Sequence, residues 1–320
     1  MTLLDLSHIA VRYPLPHGGS VTAVNDVSLE IGPGETLSIV GESGCGKSSL
    51  ARAVVGLVPL AAGKIRWQGE DIAGFPRQRR QDLKRRIQII FQDPLASLDP
   101  RMTIGAAIAE PLSVFEPQLS KRARGERVAA MLAQVELPVQ LAFRLPHEIS
   151  GGQCQRAAIA RALILRPDLL VCDEAVSALD VSVQAQIINL LRRIQSETGL
   201  SLLFVSHNLG IVRRLGHRVA VLYLGRVAET ATAEQLFANP QHPYTKALLS
   251  AALIPDPAVE RVRHRMILTG EPPSPASPPS GCVFRTRCPE VIPRCTREVP
   301  GLIERTPGHA AACLLIDPTR

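Results

Sequence analysis

Gly41-Glu42-Ser43-Gly44-Cys45-Gly46-Lys47-Ser48 has the G-x-x-x-x-G-K-[ST] spacing of a loop that holds phosphate. Glycines at 41, 44 and 46 let the backbone turn its N–H groups toward phosphate oxygens, and a following helix adds its positive end. Lys47 is expected to reach the β- and γ-phosphates, and the Ser48 hydroxyl to ligate Mg²⁺. The expected nucleotide contacts are Gly41, Ser43, Gly44, Cys45, Gly46, Lys47, Ser48 and Ser49. Alone, this loop implies only a bound nucleoside triphosphate.

A second group of residues adds hydrolytic chemistry. Asp173 and Glu174 close the apolar run Leu169-Leu170-Val171-Cys172. A carboxylate at the C-terminal end of a parallel strand suits Mg²⁺, which assigns Asp173 to the metal. Glu174 is then the group to polarise an attacking water as general base. Gln92 follows another apolar run and offers a neutral amide to both Mg²⁺ and water. Ser150-Gly151-Gly152-Gln153 combines a hydroxyl, two small residues and a helix start, which together make an anion site.

Elements must position these groups. Thr36 to Val40 is a short apolar run entering the loop, and a helical pattern runs on through Leu50, Val54, Val55 and Val58. Arg86 to Phe91, Leu169 to Cys172 and Leu202 to Ser206 read as buried parallel strands. Helices are expected from about Lys121 to Val135 and from Val183 to Thr198. The latter carries Ile187, Ile188, Leu190, Leu191 and Ile194 on one face. Leu3 to Tyr13, Val21 to Ile31 and Lys64 to Gln68 predict a small antiparallel sheet. Arg218 to Leu224 and Arg226 to Glu229 predict a hairpin around Gly225. Strands alternating with helices give an α/β class with a mainly parallel core sheet.

Taken together, Gln92, Ser150-Gly151-Gly152-Gln153, Asp173-Glu174, Ser177-Ala178-Leu179-Asp180 and His207 resemble an ABC-type ATPase over residues 1 to 250. The resemblance implies a P-loop fold with an antiparallel β subdomain and a helical subdomain at about 95–160. It also implies that Ser150 to Gln153 cap the γ-phosphate of a nucleotide held by an opposite subunit. Asp180 would lie in the dimer contact and His207 would touch the γ-phosphate. Tyr13 matches the family's adenine-stacking aromatic, with an ordinary strand-end tyrosine as its alternative. Ala175 stands where the family usually has proline, Cys154 where a basic or polar residue is commoner, and Asn208 where aspartate is usual. None of these departures removes a catalytic group, so an active site is expected.

Phe91-Gln92-Asp93-Pro94, Ser97-Leu98-Asp99-Pro100-Arg101-Met102 and Asn239-Pro240-Gln241-His242-Pro243-Tyr244 extend the resemblance to ATPase subunits of oligopeptide, dipeptide and nickel importers. The form Gly270-Glu271-Pro272-Pro273-Ser274-Pro275 is similar to the second ATPase of such importers. The implied partners are a second, homologous ATPase chain, two multi-spanning permeases and an extracytoplasmic solute-binding protein. The implied place is the cytoplasmic face of the bacterial inner membrane, peripherally bound. Pro243 is expected to start a helix on which Tyr244 packs, so neither it nor His242 is given a ligand role.

Residues 251–320 form an extension, with a proline-rich connector at Glu271 to Ser280 that can be neither helix nor central strand. Cys282, Cys288, Cys295 and Cys313 follow it, at gaps wider than those of common zinc knuckles. Four thiolates in a poorly cored segment suit a [4Fe–4S] cluster or Zn²⁺, and structural thiols or a redox-sensitive disulfide are the alternative. The remaining cysteines, Cys45, Cys154 and Cys172, read as reduced thiols.

Bulk properties set the limits. No apolar run approaches the eighteen or so residues that span a bilayer, and Met1-Thr2-Leu3-Leu4-Asp5 has no signal-peptide pattern. The net charge of +7 is scattered, and aromatics are only 3%, which leaves little for base stacking. The clusters Arg77 to Arg80 and Lys121 to Arg124 read as solvated helix faces, and no nucleic-acid partner is expected. The charge also suits anionic headgroups. A soluble ATPase of the same type acting on nucleic acid or ribosomes is the rival function. Such proteins carry two cassettes, a long coiled coil or inserted zinc modules, and this chain has one cassette and a short span from Gln92 to Ser150.

Overall fold

The computed structural model describes residues 2–15, 18–251, 266 and 268–316. The chain divides into two compact units. One comprises Gly32–Glu35 and Ile72–Val205, the other Thr2–Ile31, Thr36–Asp71 and Ser206–Arg320. The cysteine-bearing tail, set apart in the sequence as 251–320, therefore belongs with the glycine-rich loop. Its 252–265 stretch lies outside the described residues.

In the first unit, strands Ile87–Ile90, Leu169–Asp173 and Ser201–Val205 run parallel, with Ile87 opposite Leu169 and Leu169 opposite Ser201. All five residues of each of the latter two strands are buried, the pattern of parallel strands covered on both faces. Strand Ile87–Ile90 is shorter than the apolar pattern, because Arg86 is the last residue of the preceding helix Arg77–Arg86. That helix buries none of its residues, as its basic composition requires.

The helical part comprises Ile104–Phe115, Lys121–Gln134 and Gly151–Leu163. Thr103, Ser120 and Ser150 each cap the helix that follows by accepting a backbone N–H. Glu116, only 8% exposed, ties the second of these helices to Arg77–Arg86: Arg85 pairs with it at 2.8 Å and Arg127 closes on its other oxygen. Helix Val181–Thr198 buries Ile187, Ile188, Leu190, Leu191 and Ile194, and ends at Gly199 with φ 71°.

In the second unit, Leu4–Pro14 pairs antiparallel with both Ser20–Ile31 and Ala62–Trp67, and Glu70–Asp71 completes the expected front sheet. A further set of strands carries the loop. Thr36–Val40 runs parallel to Arg218–Tyr223, which turns through Leu224 and Gly225 into antiparallel Arg226–Thr232. The tail then adds His309–Ala311 and Ile303–Thr306, both antiparallel, so the arrangement is mixed. Glu271 to Ser280 contains neither helix nor strand, as its prolines dictate.

The tail also completes the core of this unit. Val40, Val219, Val221, Tyr223, Leu236, Tyr244, Phe284 and Leu314 form one apolar cluster with Cys282 and Cys295. Tyr223, Tyr244 and Phe284 meet edge-on or tilted, with ring centroids 4.7, 5.1 and 5.3 Å apart. Below them Glu229, fully buried, accepts N–H bonds from Gln241 and His242 at 2.8 Å each. Its Oε1 also lies 2.6 Å from His309 Nε2. One carboxylate thus ties a sheet strand to the Asn239–Tyr244 segment and the tail.

Candidate functional site

The glycine-rich loop is fixed by close backbone approach on two sides. A β-carbon at Gly41 would stand 2.2 Å from the carbonyl oxygen of Leu222, and one at Gly46 would stand 2.1 Å from that of Ala23. Gly46 also adopts φ 106° immediately before helix Lys47–Val54, and its carbonyl accepts from Leu50 N–H at 3.0 Å. Beyond the phosphate access expected from the sequence, contact with the neighbouring strands requires glycine here. The helix stops at Val54, short of the apolar pattern that runs to Val58.

Lys47 is 4% exposed, and its ammonium donates to the carbonyls of Gly41 at 2.9 Å and Glu42 at 2.8 Å. The side chain therefore spans the loop from within. Ser43 and Gly44 form the exposed rim, and Ser48 and Ser49 are half-buried on the first helical turn. Cys45 is buried against the loop, and desolvation raises its thiol pKa, which leaves it protonated and unreactive. Tyr13, at the end of strand Leu4–Pro14, donates its hydroxyl to Ser49 Oγ at 3.2 Å. The tyrosine and the loop helix are thereby brought together.

His207 is exposed and follows Ser206, whose N–H donates to Ile39 O on the strand entering the loop. Asn208 caps helix Leu209–Leu215 by accepting from Gly210 and Ile211 N–H. An amide oxygen serves that cap as well as a carboxylate would, so the departure at 208 leaves the backbone next to His207 intact.

The first unit holds the other expected residues. Asp173 ends its strand 3% exposed, and Glu174 follows half-buried with φ 51°, a left-handed conformation uncommon for glutamate. Its N–H donates to Val205 O at 3.1 Å, and its carbonyl accepts from the Ser177 hydroxyl at 2.9 Å. Backbone in a sparsely populated region, held by fixed partners, is a recurrent property of functional sites. Ala175, in the proline position, is 1% exposed and packs as a small apolar residue. Gln92 lies exposed just beyond strand Ile87–Ile90.

Ser150 is exposed at the start of helix Gly151–Leu163. Its Oγ accepts from Gln153 N–H at 3.3 Å while Gln153 Oε1 accepts from Ser150 N–H at 2.9 Å. Gly152 packs against Val183 of the helix that Asp180 caps, so this unit brings the Ser150 segment beside the start of that helix. Asp180 accepts from the Ser182 hydroxyl at 2.6 Å and Val183 N–H at 2.9 Å, and these bonds hold its carboxyl below the usual range. Cys154 is fully buried, its thiol donating to Pro146 O at 3.3 Å, which explains a small residue where a polar one is commoner.

Two features of the loop were not visible in the sequence. Glu42 N–H donates to the Tyr244 hydroxyl at 2.9 Å, and the Glu42 carboxylate is gripped by both Nη atoms of Arg287 at 2.7 and 3.1 Å. Helix Pro243–Ala251 does start at its proline, and Tyr244 is fully buried. Its hydroxyl, however, is part of the loop's support. The one local signal was an acidic residue inside a loop expected to hold phosphate.

The oxygen donors Ser48 and Asp173, with the Gln92 amide, have the hard-ligand chemistry that Mg²⁺ takes. For the tail cysteines the metal expectation gains no support. Among the described residues, no group of three or more His, Cys, Asp or Glu side chains is arranged to hold a metal ion. Burial raises the thiols of Cys282, Cys288 and Cys313, with Cys288 pushed up to about 11, so they stand as protonated core thiols. Also among the described residues, no helix is long and apolar enough to cross a membrane.

Comparison with known proteins gives a consistent picture. A family model described as "ABC transporter" matches residues 24–177, and one described as "Oligopeptide/dipeptide transporter, C-terminal region" matches 228–295. The oligopeptide transport ATP-binding protein OppF of Salmonella typhimurium is 51% identical over 99% of this chain and 97% of its own length. The Escherichia coli protein of the same name is 49% identical over the same shares. A probable peptide ABC transporter ATP-binding protein of Sinorhizobium fredii is 50% identical, over 97% of this chain and 89% of its own. Among solved structures, a dimeric ATP-binding cassette in a post-hydrolysis state, bound to ADP and Pi, superposes with a TM-score of 0.66 at 28% identity. It covers 72% of this chain and 98% of its own. An ABC transporter component of Clostridium perfringens gives 0.65 at 26% identity, over 74% and 91%.

Proposed function

The chain belongs to the ABC transporter ATP-binding family, in its oligopeptide/dipeptide branch, and on that premise we propose that it hydrolyses ATP to drive uptake of short peptides through partner permeases. Its near-full-length identity to oligopeptide transport ATP-binding proteins supports this most strongly, because the likeness includes the tail as well as the cassette. The energy-coupling role follows from the family. The finer assignment is to peptides rather than nickel, with a different homologous ATPase as partner, an extracytoplasmic binding protein delivering cargo, and this chain bound peripherally at the cytoplasmic face of the bacterial inner membrane.

Each residue takes a role that its own surroundings support. Lys47, held in the loop, would bind β- and γ-phosphate oxygens, and Tyr13 would stack on adenine beside Ser49. Ser48, Asp173 and Gln92 would hold Mg²⁺, which when bound would supply charge neutralisation on the phosphates. Glu174 would accept the proton of the attacking water, and its fixed backbone gives the carboxylate a set direction. His207 would hydrogen-bond the γ-phosphate. Ser150 to Gln153 would cap the nucleotide of the opposing chain, since the Ser150 hydroxyl accepts one N–H while keeping its own proton to donate. Asp180 would stand at the dimer contact. Hydrolysis would then release the paired chains and reset the permeases.

Glu174→Gln tests the assignment. ATP binding should persist, turnover should fall on the order of 10²–10⁴-fold, and a closed dimer should accumulate with ATP. Undiminished ATPase activity would remove Glu174 from the role of base. Co-purification with two multi-spanning membrane proteins would support the partner assignment. For the tail, iron and zinc analysis with visible absorption on anaerobically purified protein tests a thiolate-bound metal at Cys282, Cys288, Cys295 and Cys313. Colourless, metal-free, folded protein would end that reading.

A further inference from the structure

Glu42 places a carboxylate in the phosphate loop, where its charge has the same sign as the ligand. Its three polar groups are nevertheless all engaged. The N–H donates to Tyr244, the carbonyl accepts from Lys47, and the carboxylate meets the Arg287 guanidinium in a two-point fork. The Arg287 side chain is only 7% exposed and that of Glu42 27%, so the pair is largely shielded from water. Proximity to the carboxylate raises the arginine pKa further, and its charge is constant at any physiological pH.

Arg287 is itself anchored. Its N–H donates to Phe284 O at 3.0 Å, and Phe284, 1% exposed, packs on Tyr223 and Tyr244. A fork is directional, so this anchor fixes where the Glu42 side chain points.

We propose that Arg287 is a positioning residue for ATP binding, a tail-borne cation that cancels the Glu42 charge and holds the first turn of the phosphate loop in its phosphate-accepting form. The proposal rests on the assignment of residues 41–48 to the triphosphate. It extends that assignment to a side chain 245 positions away, in a segment separate from the cassette motifs. With Arg287 removed, Glu42 becomes an unpaired, half-buried anion beside incoming phosphate, and ATP should bind less tightly.

The test measures Mg-ATP affinity of the full-length chain by equilibrium titration, with thermal melting in parallel. Arg287→Gln should weaken ATP binding about tenfold or more. Arg287→Lys, which keeps the charge but loses the fork, should fall between wild type and Arg287→Gln. Adding Glu42→Gln to Arg287→Gln should bring affinity back to within about threefold of Glu42→Gln alone, because no uncompensated charge is left. Wild-type affinity in Arg287→Gln would overturn the proposal. So would a double variant that stays as weak as Arg287→Gln while melting normally, since lost packing would then account for the effect. If Arg287→Gln fails to fold, the lysine variant and the double variant decide the matter in the same way. Lys47→Ala separates the two levels. Unchanged ATP affinity there would remove the loop assignment and the Arg287 role with it, whereas loss there with none in Arg287→Gln removes only the Arg287 role.

Discussion

Gly152 and Val183 meet so closely that a β-carbon on the glycine would stand 2.9 Å from Val183 Cγ1. The residue proposed to face another chain's nucleotide is thus also a packing residue within its own unit. Valine cannot rotate away easily, because its branched β-carbon restricts it to few rotamers. Gly152→Ala should therefore destabilise by about 1–3 kcal/mol through overpacking. Val183→Ala in the same chain should restore most of that loss. Thermal melts of both single variants and the double check it; equal melting of Gly152→Ala with and without the second change would exclude the contact as the cause.

Ser150 caps its helix and is proposed to touch phosphate, and the two duties are separable. Ser150→Ala removes the cap and should cost about 1 kcal/mol. Ser150→Asp preserves the cap and suits the helix dipole, so the fold should melt at or above the wild-type temperature. The same aspartate would repel a γ-phosphate, and ATPase activity should be lost. Full activity in Ser150→Asp would show that the hydroxyl does not face a nucleotide.

His242 gives the fold an acid limit. Its Nδ1 accepts from Tyr244 N–H at 3.0 Å, and burial first, then the charge of Lys246, hold its pKa down to about 4 against the ring's hydrogen bond to the Ala312 backbone. An unfolded histidine titrates near ~6.5. Above that pH neither state binds the proton, and the contribution of the neutral ring is complete. As pH falls from about 6.5 toward 4 the unfolded chain takes up a proton that the folded chain refuses, so stability declines, by on the order of 2–3 kcal/mol. His242→Asn keeps an acceptor and should flatten the decline in denaturant melts across that window. The Glu229–His309 pair is common to both chains, so the difference isolates His242. Parallel stability curves for the two proteins would reject this account.

The elements nearest the chemistry were the most legible in the sequence. A glycine-rich spacing after the apolar run Thr36 to Val40 dictates strand, loop and helix through local rules, and the structure has all three. The carboxylates at 173 and 174 follow a run too apolar to be anything but a covered strand. Ser150 and Pro243 announce helix starts, and each helix begins there, whereas the helix expected from Val183 begins at Val181, capped by Asp180. What escaped has a common cause. The fork from Arg287 to Glu42 joins positions no periodicity connects. The left-handed Glu174 carries no glycine to mark it. Ile303–Thr306 is mostly exposed and polar, so its strand character comes from its partner.

That pairing bears on how the protein may be shortened. The solved cassettes it resembles cover 72% and 74% of the chain, which invites truncation to their length. Here the tail strand His309–Ala311 sits on Arg226–Thr232, with Thr230 opposite Ala310 and Glu229 opposite Ala311. Removing it would strip a β-edge bare, leave the buried Glu229 without His309, and uncover the ring faces that Phe284 now closes. Exposed edges recruit one another. A chain cut after residue 251 should therefore self-associate rather than behave as a smaller cassette, giving large species in light scattering where the full chain gives none. Much of what looks like an appendage is, in this sense, the lid on an otherwise sticky fold.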